Sequence, residues 1–152
     1  MKRRRAFTLT EILFVIIIIS SLAATIFIFP SVEGENEKRK VRDEAQNLAL
    51  WLDKSISWAA RNRADFRLIV SDNDITNHKI RIEWLGADRK SEAYLCKNAR
   101  LYYSNIGTEL NFSGTWFSMT PAATFTVRSK KNADVRFYVK ISGTGYISVS
   151  ED

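Results

Sequence analysis

Three spacings follow one another along the chain. Residues 12–29, ILFVIIIISSLAATIFIF, run for eighteen positions without a charge. Apolar residues then recur three and four apart at Val41, Ala45, Leu48, Ala49, Leu52, Ile56, Ala59 and Ala60, the signature of one helical face. Trp51 and Trp58, seven apart, flank that stripe and are placed to cover a core. Beyond Ala64 the period drops to two, which predicts strands over 66–70, 79–85, 101–104, 109–112, 124–128, 135–142 and 146–149. The clearest alternation sets Val135, Phe137, Val139 and Ile141 against Arg136, Tyr138, Lys140 and Ser142. Gly143-Thr144-Gly145 then turns the chain into a closing hairpin. The pattern predicts a long helix followed by a small antiparallel β-domain, an α+β chain.

The apolar run belongs to a membrane. Thirteen of its eighteen residues are Ile, Leu, Val or Phe, and residues 7–29 reach ~35 Å at about 1.5 Å per helical residue, against a hydrocarbon core of ~30 Å. A cleavable secretory signal fits poorly, because the run is long and ends in Phe27, Ile28, Phe29 and Pro30 without a small-x-small site. Lys2, Arg3, Arg4 and Arg5 precede it, and the positive-inside rule keeps them cytoplasmic and puts everything after Pro30 on the far side. These four cations also explain most of the charge. The formal +6 comes from 23 Lys+Arg against 17 Asp+Glu, and without the four the balance is 19 against 17, or +2. Net charge is therefore no argument for nucleic-acid binding. Pro30 lacks an N–H and disfavours helix in Phe29, which predicts a kink or break there.

Glu11 does not suit a plain anchor. A carboxylate four residues inside an apolar boundary costs on the order of 1 to 3 kcal/mol unless a cation or a snorkelling path is at hand. Cleavage before Phe7 would create an ammonium at the same depth, and the amine of a neighbouring subunit would then be its partner. Arg5-Ala6-Phe7-Thr8-Leu9-Thr10-Glu11 and the apolar run resemble the class III signal of type IV prepilins and type II secretion pseudopilins: a basic leader, a small residue, Phe-Thr-Leu-x-Glu and about twenty apolar positions. The resemblance implies a pilin-like fold, cleavage between Ala6 and Phe7 by a prepilin peptidase, N-methylation of Phe7, and assembly with other pilins or pseudopilins through Phe7 and Glu11 on an inner-membrane platform. Ala6 replaces the commoner glycine, which implies slower processing. Pro30 lies later than the proline that usually bends pilin helices. Residues 110–149 loosely resemble the exported domains of H-type pseudopilins and FimT-type minor pilins, through Phe112-Ser113-Gly114, Thr124-Phe125-Thr126-Val127, Ser129-Lys130-Lys131-Asn132 and Gly145-Tyr146-Ile147.

The expected organisation is a leader at 1–6, a transmembrane helix at 7–29, an amphipathic continuation at 30–64 and an exported β-rich domain at 65–152. The expected place is the inner membrane, single-pass, with the carboxyl-terminal domain periplasmic. The mixed charge run at 33–42 reads as a solvated face, with lipid contact through Lys38, Arg39, Lys40 and Arg42 as the alternative.

Catalytic constellations are missing from the sequence: no HExxH, GxSxG, phosphate loop or GxGxxG occurs. The one histidine, His78, reads as an exposed loop residue. Asp72, Asn73 and Asp74 read as a turn more readily than as calcium ligands. Cys96, the one cysteine, excludes an internal disulfide and reads as a small core residue. Asn111-Phe112-Ser113 fits the glycosylation pattern, a motif frequent by chance. Arg128, Lys130, Lys131, Arg136 and Lys140 read as a solvated strand edge, or as a DNA contact if the chain serves competence. The expected function is that of a minor pseudopilin of type II secretion, with no catalytic role and no cofactor. The alternatives are a minor type IV pilin with DNA uptake and a tethered binding module that never polymerises.

Overall fold

The computed structural model describes residues 8–74, 77–104 and 109–151, with the side chains at 24–33, 72–74 and 77 outside that description. Among the described residues, one helix, α1 (Leu9–Asn62), precedes nine strands: β1 (Asp65–Asp74), β2 (Asn77–Leu85), β3 (Glu92–Leu95), β4 (Ala99–Tyr103), β5 (Leu110–Ser113), β6 (Ser118–Thr120), β7 (Ala123–Ser129), β8 (Arg136–Ile141) and β9 (Ile147–Glu151). The helical backbone continues through Pro30, so the expected break is not there. Proline removes one N–H from the ladder, and the helix carries on past that single loss.

The chain divides into two compact units, Met1–Asn36 and Glu37–Asp152. The second holds the core. Its strands form two antiparallel sheets, a five-stranded one in the order β3-β2-β1-β5-β6 and a four-stranded one in the order β4-β7-β8-β9. Alternation fixes which residues face inward, since a one-residue slip would turn every side chain over. Phe66, Leu68, Val70, Ile80, Ile82, Leu101, Leu110, Phe112, Phe125, Val127, Val139 and Ile141 are all buried. Val41, Ala45, Leu48, Leu52, Ile56 and Ala59, the predicted helical stripe, join them in one apolar cluster. Covering the four larger members of that stripe is worth on the order of 6 to 12 kcal/mol relative to exposure.

The two tryptophans do cover the core. Trp58 meets Trp84 edge-on at 4.6 Å and Trp51 lies 5.5 Å from Tyr94, while the Arg89 guanidinium sits 4.4 and 4.6 Å from the Trp58 and Trp84 rings. The predicted hairpin forms as β8 and β9, with Gly145 at φ 73° in its turn. Two strands, β3 and β6, escaped the pattern. Both are short end strands of their sheet, and an end strand with a wet face leaves a weak alternation.

Candidate functional site: the amino-terminal helix and the surfaces of its domain

Thr8 stands just before α1, and Glu11 is the third residue inside it. Glu11 Oε2 accepts the Thr8 N–H at 2.9 Å and the Thr8 hydroxyl at 3.1 Å, while Thr8 Oγ1 accepts the Glu11 N–H at 3.4 Å. Threonine and glutamate three apart thus close a reciprocal capping box. Glu11 has a duty inside its own helix that the resemblance did not imply, and the Thr8-x-x-Glu11 spacing was the signal for it. Its Oε1 takes no hydrogen bond among the described residues. Ala6 and Phe7, the expected cleavage pair and methylation site, lie outside the described residues.

The first stretch of α1 has no cover within its own unit. Leu9 is 83% exposed, and Ile12, Leu13, Phe14, Val15, Ile16, Ile17, Ile18, Ile19 and Leu22 are each at least half exposed. Leaving nine such side chains half in water costs on the order of 10 kcal/mol. Among the described residues no helix is long and apolar enough to cross a membrane. The fully described part of the run ends at residue 23, short of the ~20 apolar residues a span requires.

Within the second unit, Glu44 is a buried acid that the stripe spacing half revealed, since it sits beside Ala45 between Val41 and Leu48. It is 6% exposed. Its carboxylate accepts the Tyr94 hydroxyl at 2.9 Å and the backbone N–H groups of Lys97 and Asn98 at 3.3 and 3.1 Å. The clamp fastens α1 to the β3–β4 connection. Burial, then the Glu44 hydrogen bond, push the Tyr94 hydroxyl above its ordinary range. Cys96 is buried as expected, and burial followed by the Glu44 charge pushes its thiol up to about 12. Lower on the helix, Glu37 accepts the Ser129 hydroxyl at 3.0 Å, which with Lys40 and Lys131 holds its carboxyl below the usual range.

His78 corrects the sequence reading. It is buried, 5% exposed, in β2, and its Nδ1 accepts the Tyr103 N–H at 3.0 Å. It opens the inward series His78, Ile80, Ile82, Trp84; the polar residues before it disguised the start of the strand. Asp72 and Asp74 are likewise in β1, not in a turn, with a register shift between them. Among the described residues no three metal-binding side chains gather.

The basic cluster also differs from the expected strand edge. Arg100 is in register with Arg128, and Arg128 with Arg136, so three arginines cross adjacent strands on the outward face of the four-stranded sheet. Tyr102 and Tyr138 occupy the next row, both in register with Thr126. Like charges directly opposite one another oppose sheet formation, and Arg128 Nε donates to the Ala133 carbonyl at 2.9 Å in the turn that follows. Arg100 and Tyr102 were missed because they lie far from the others in sequence.

Residues 1–27 match the family model for the prokaryotic N-terminal methylation motif. The whole chain matched no curated protein and no solved structure. The chain carries a prepilin-type signal of the type IV pilin and pseudopilin superfamily, and its helix packed on antiparallel sheets is a pilin-like α+β arrangement.

Proposed function

We propose that this chain, a bearer of the prepilin-type signal, is a precursor cut between Ala6 and Phe7 and assembled through α1 as a minor pseudopilin of type II secretion. The observation that carries the reading is the uncovered apolar surface of residues 9–23, in the same helix, α1, whose later stripe from Val41 to Ala59 is buried in a folded domain. That surface needs lipid first and other helices afterwards, which is what a membrane-held subunit entering a fibre meets in turn. Lys2 to Arg5 keep the amino terminus cytoplasmic and the domain periplasmic. Prepilin peptidase frees the Phe7 amine and methylates it. Glu11, held by Thr8 through Oε2, offers Oε1 to that amine on an adjoining protomer, and neutralisation lets the pair stay in low dielectric. The inner-membrane assembly platform and other pseudopilins are the partners. An H-type placement is supported by a strand-rich exported domain that closes on the Gly145 hairpin.

Intact-mass measurement on membrane-extracted and fibre-incorporated chain tests this. The expected species begins at N-methylated Phe7; an amino terminus at Met1 in fibres would overturn the reading and favour a tethered module. Glu11→Ala should abolish incorporation while leaving the domain folded, and unchanged incorporation would remove the amine pairing. The arginine row with its tyrosines favours one second reading, a minor pilin of DNA uptake. Gel shifts at low and moderate salt separate the two, since phosphate contacts by three arginines should weaken steeply as salt rises.

A further inference from the structure

We infer that the open edge of β9, with the apolar groove beside it, is a docking site for an extended segment of another protein chain, taken up as a fifth strand of the four-stranded sheet. Among the described residues, β9 ends that sheet and pairs with β8 alone. In an antiparallel pair, hydrogen-bonded and non-bonded partners alternate. The Ser142 N–H donates to the Tyr146 carbonyl at 2.9 Å, so two residues on, Ser148 bonds Lys140, and Ser150 bonds Tyr138. The N–H and C=O groups of Ile147 and Val149 therefore point to the free edge, where no described backbone group meets them.

The same two residues line a groove of about 430 Å³ with Gln46, Ala49, Leu50 and Asp53 of α1. Leu50 is 58% exposed. Isolated exposed leucines are ordinary, but this one borders a row of unpaired edge donors and acceptors. Proteins usually blunt an edge with lysine, proline or a bulge, and Ile147-Ser148-Val149-Ser150-Glu151 carries none of these.

The lining defines the occupant. Edge groups at every second residue demand a backbone in the extended form, about five residues or ~17 Å long. Ala49, Leu50, Ile147 and Val149 call for apolar side chains at alternate positions. Charge completes the description: Asp53, at one end of the groove, forms no ion pair within 4 Å among the described residues, Lys54 and Arg61 lining a separate hollow with it on the helix, whereas Glu151, at the far end of β9, is taken by Lys38 at 2.5 Å and Arg42 at 3.7 Å. The occupant therefore brings a lysine or arginine to the Ile147 end.

The test uses the full chain in lipid nanodiscs, panned against a display library of ten-residue peptides, with amide hydrogen exchange followed as the enriched peptides are titrated. In the free chain, Ile147 and Val149 should exchange fast while Ser148 and Ser150 are protected. Enriched peptides should carry alternating apolar residues with one cation and slow exchange at Ile147 and Val149 by at least about tenfold. Leu50→Asp should abolish their binding, and Asp53→Lys should turn the preference toward acidic peptides; both sites are exposed, and an unchanged melting temperature verifies folding. Slow exchange of Ile147 and Val149 in the free chain, no enrichment above Leu50→Asp, or binding that leaves those two amides fast would each overturn the proposal.

Discussion

Arg63 ends α1 in the left-handed region, at φ 48°. The Ala64 N–H donates to the Ala59 carbonyl at 3.0 Å and the Arg63 N–H to the Ala60 carbonyl at 3.4 Å, the paired bonds of a Schellman motif whose αL position normally holds glycine. Arg63→Gly should therefore stabilise the domain by about 1 kcal/mol, read as a rise of a few degrees in Tm. Gly114 has the opposite constraint. A Cβ there would fall 2.4 Å from the Ala64 carbonyl oxygen and 2.6 Å from that of Ala59. Backbone cannot yield as a side chain can, so Gly114→Ala should cost about 3 kcal/mol or more in denaturant unfolding. The Cys96 thiol, ordinarily at 9.0 and raised to about 12, should resist alkylation at pH 8 in the native chain and react on unfolding. Its neutral form is the folded one, so its contribution is complete below pH 9 and is lost as pH rises toward 12.

Among the elements, the helix-to-sheet clamp at Glu44 decides the most. Three donors converge on this one buried carboxylate. Glu44→Ala would strand the Lys97 and Asn98 N–H groups and leave the Tyr94 hydroxyl only the Glu44 backbone carbonyl at 3.3 Å, with a loss of about 3 to 5 kcal/mol, whereas Glu44→Gln keeps an acceptor and should lose roughly half as much. Urea unfolding of the two variants checks the ordering, and equal losses would mean that shape and not hydrogen bonding matters. The clamp also shows why propensity alone could not place β3: Tyr94 and the N–H groups of Lys97 and Asn98 reach back about fifty residues to the helix, a pairing that the folded domain creates.

At the scale of the whole chain, two stretches of one helix differ in cover. Residues 41–59 bury their stripe in protein, while residues 9–23 expose theirs. If lipid covers that second stretch, the chain should remain in the pellet after alkaline carbonate extraction, and Ile16→Asp with Ile19→Asp should release it. Two mid-span aspartates cost about 5 to 7 kcal/mol on insertion scales, enough to cancel the gain from the run.

How much of this was legible follows from range. The amino-terminal motif, the helical stripe from Val41 to Ala60 and seven of the nine strands are local patterns, set by spacing along a few neighbouring residues, and the sequence alone determined them. Thr8-x-x-Glu11 was equally local. Tertiary structure decided the rest: that His78 is a buried acceptor, that Arg100 joins Arg128 and Arg136 in one row, that Glu44 holds a loop, and that β9 is left with an open edge. Each of these depends on which strand lies beside which, and strand order is set by packing two sheets and a helix around one shared core, a global condition that no short window of sequence contains.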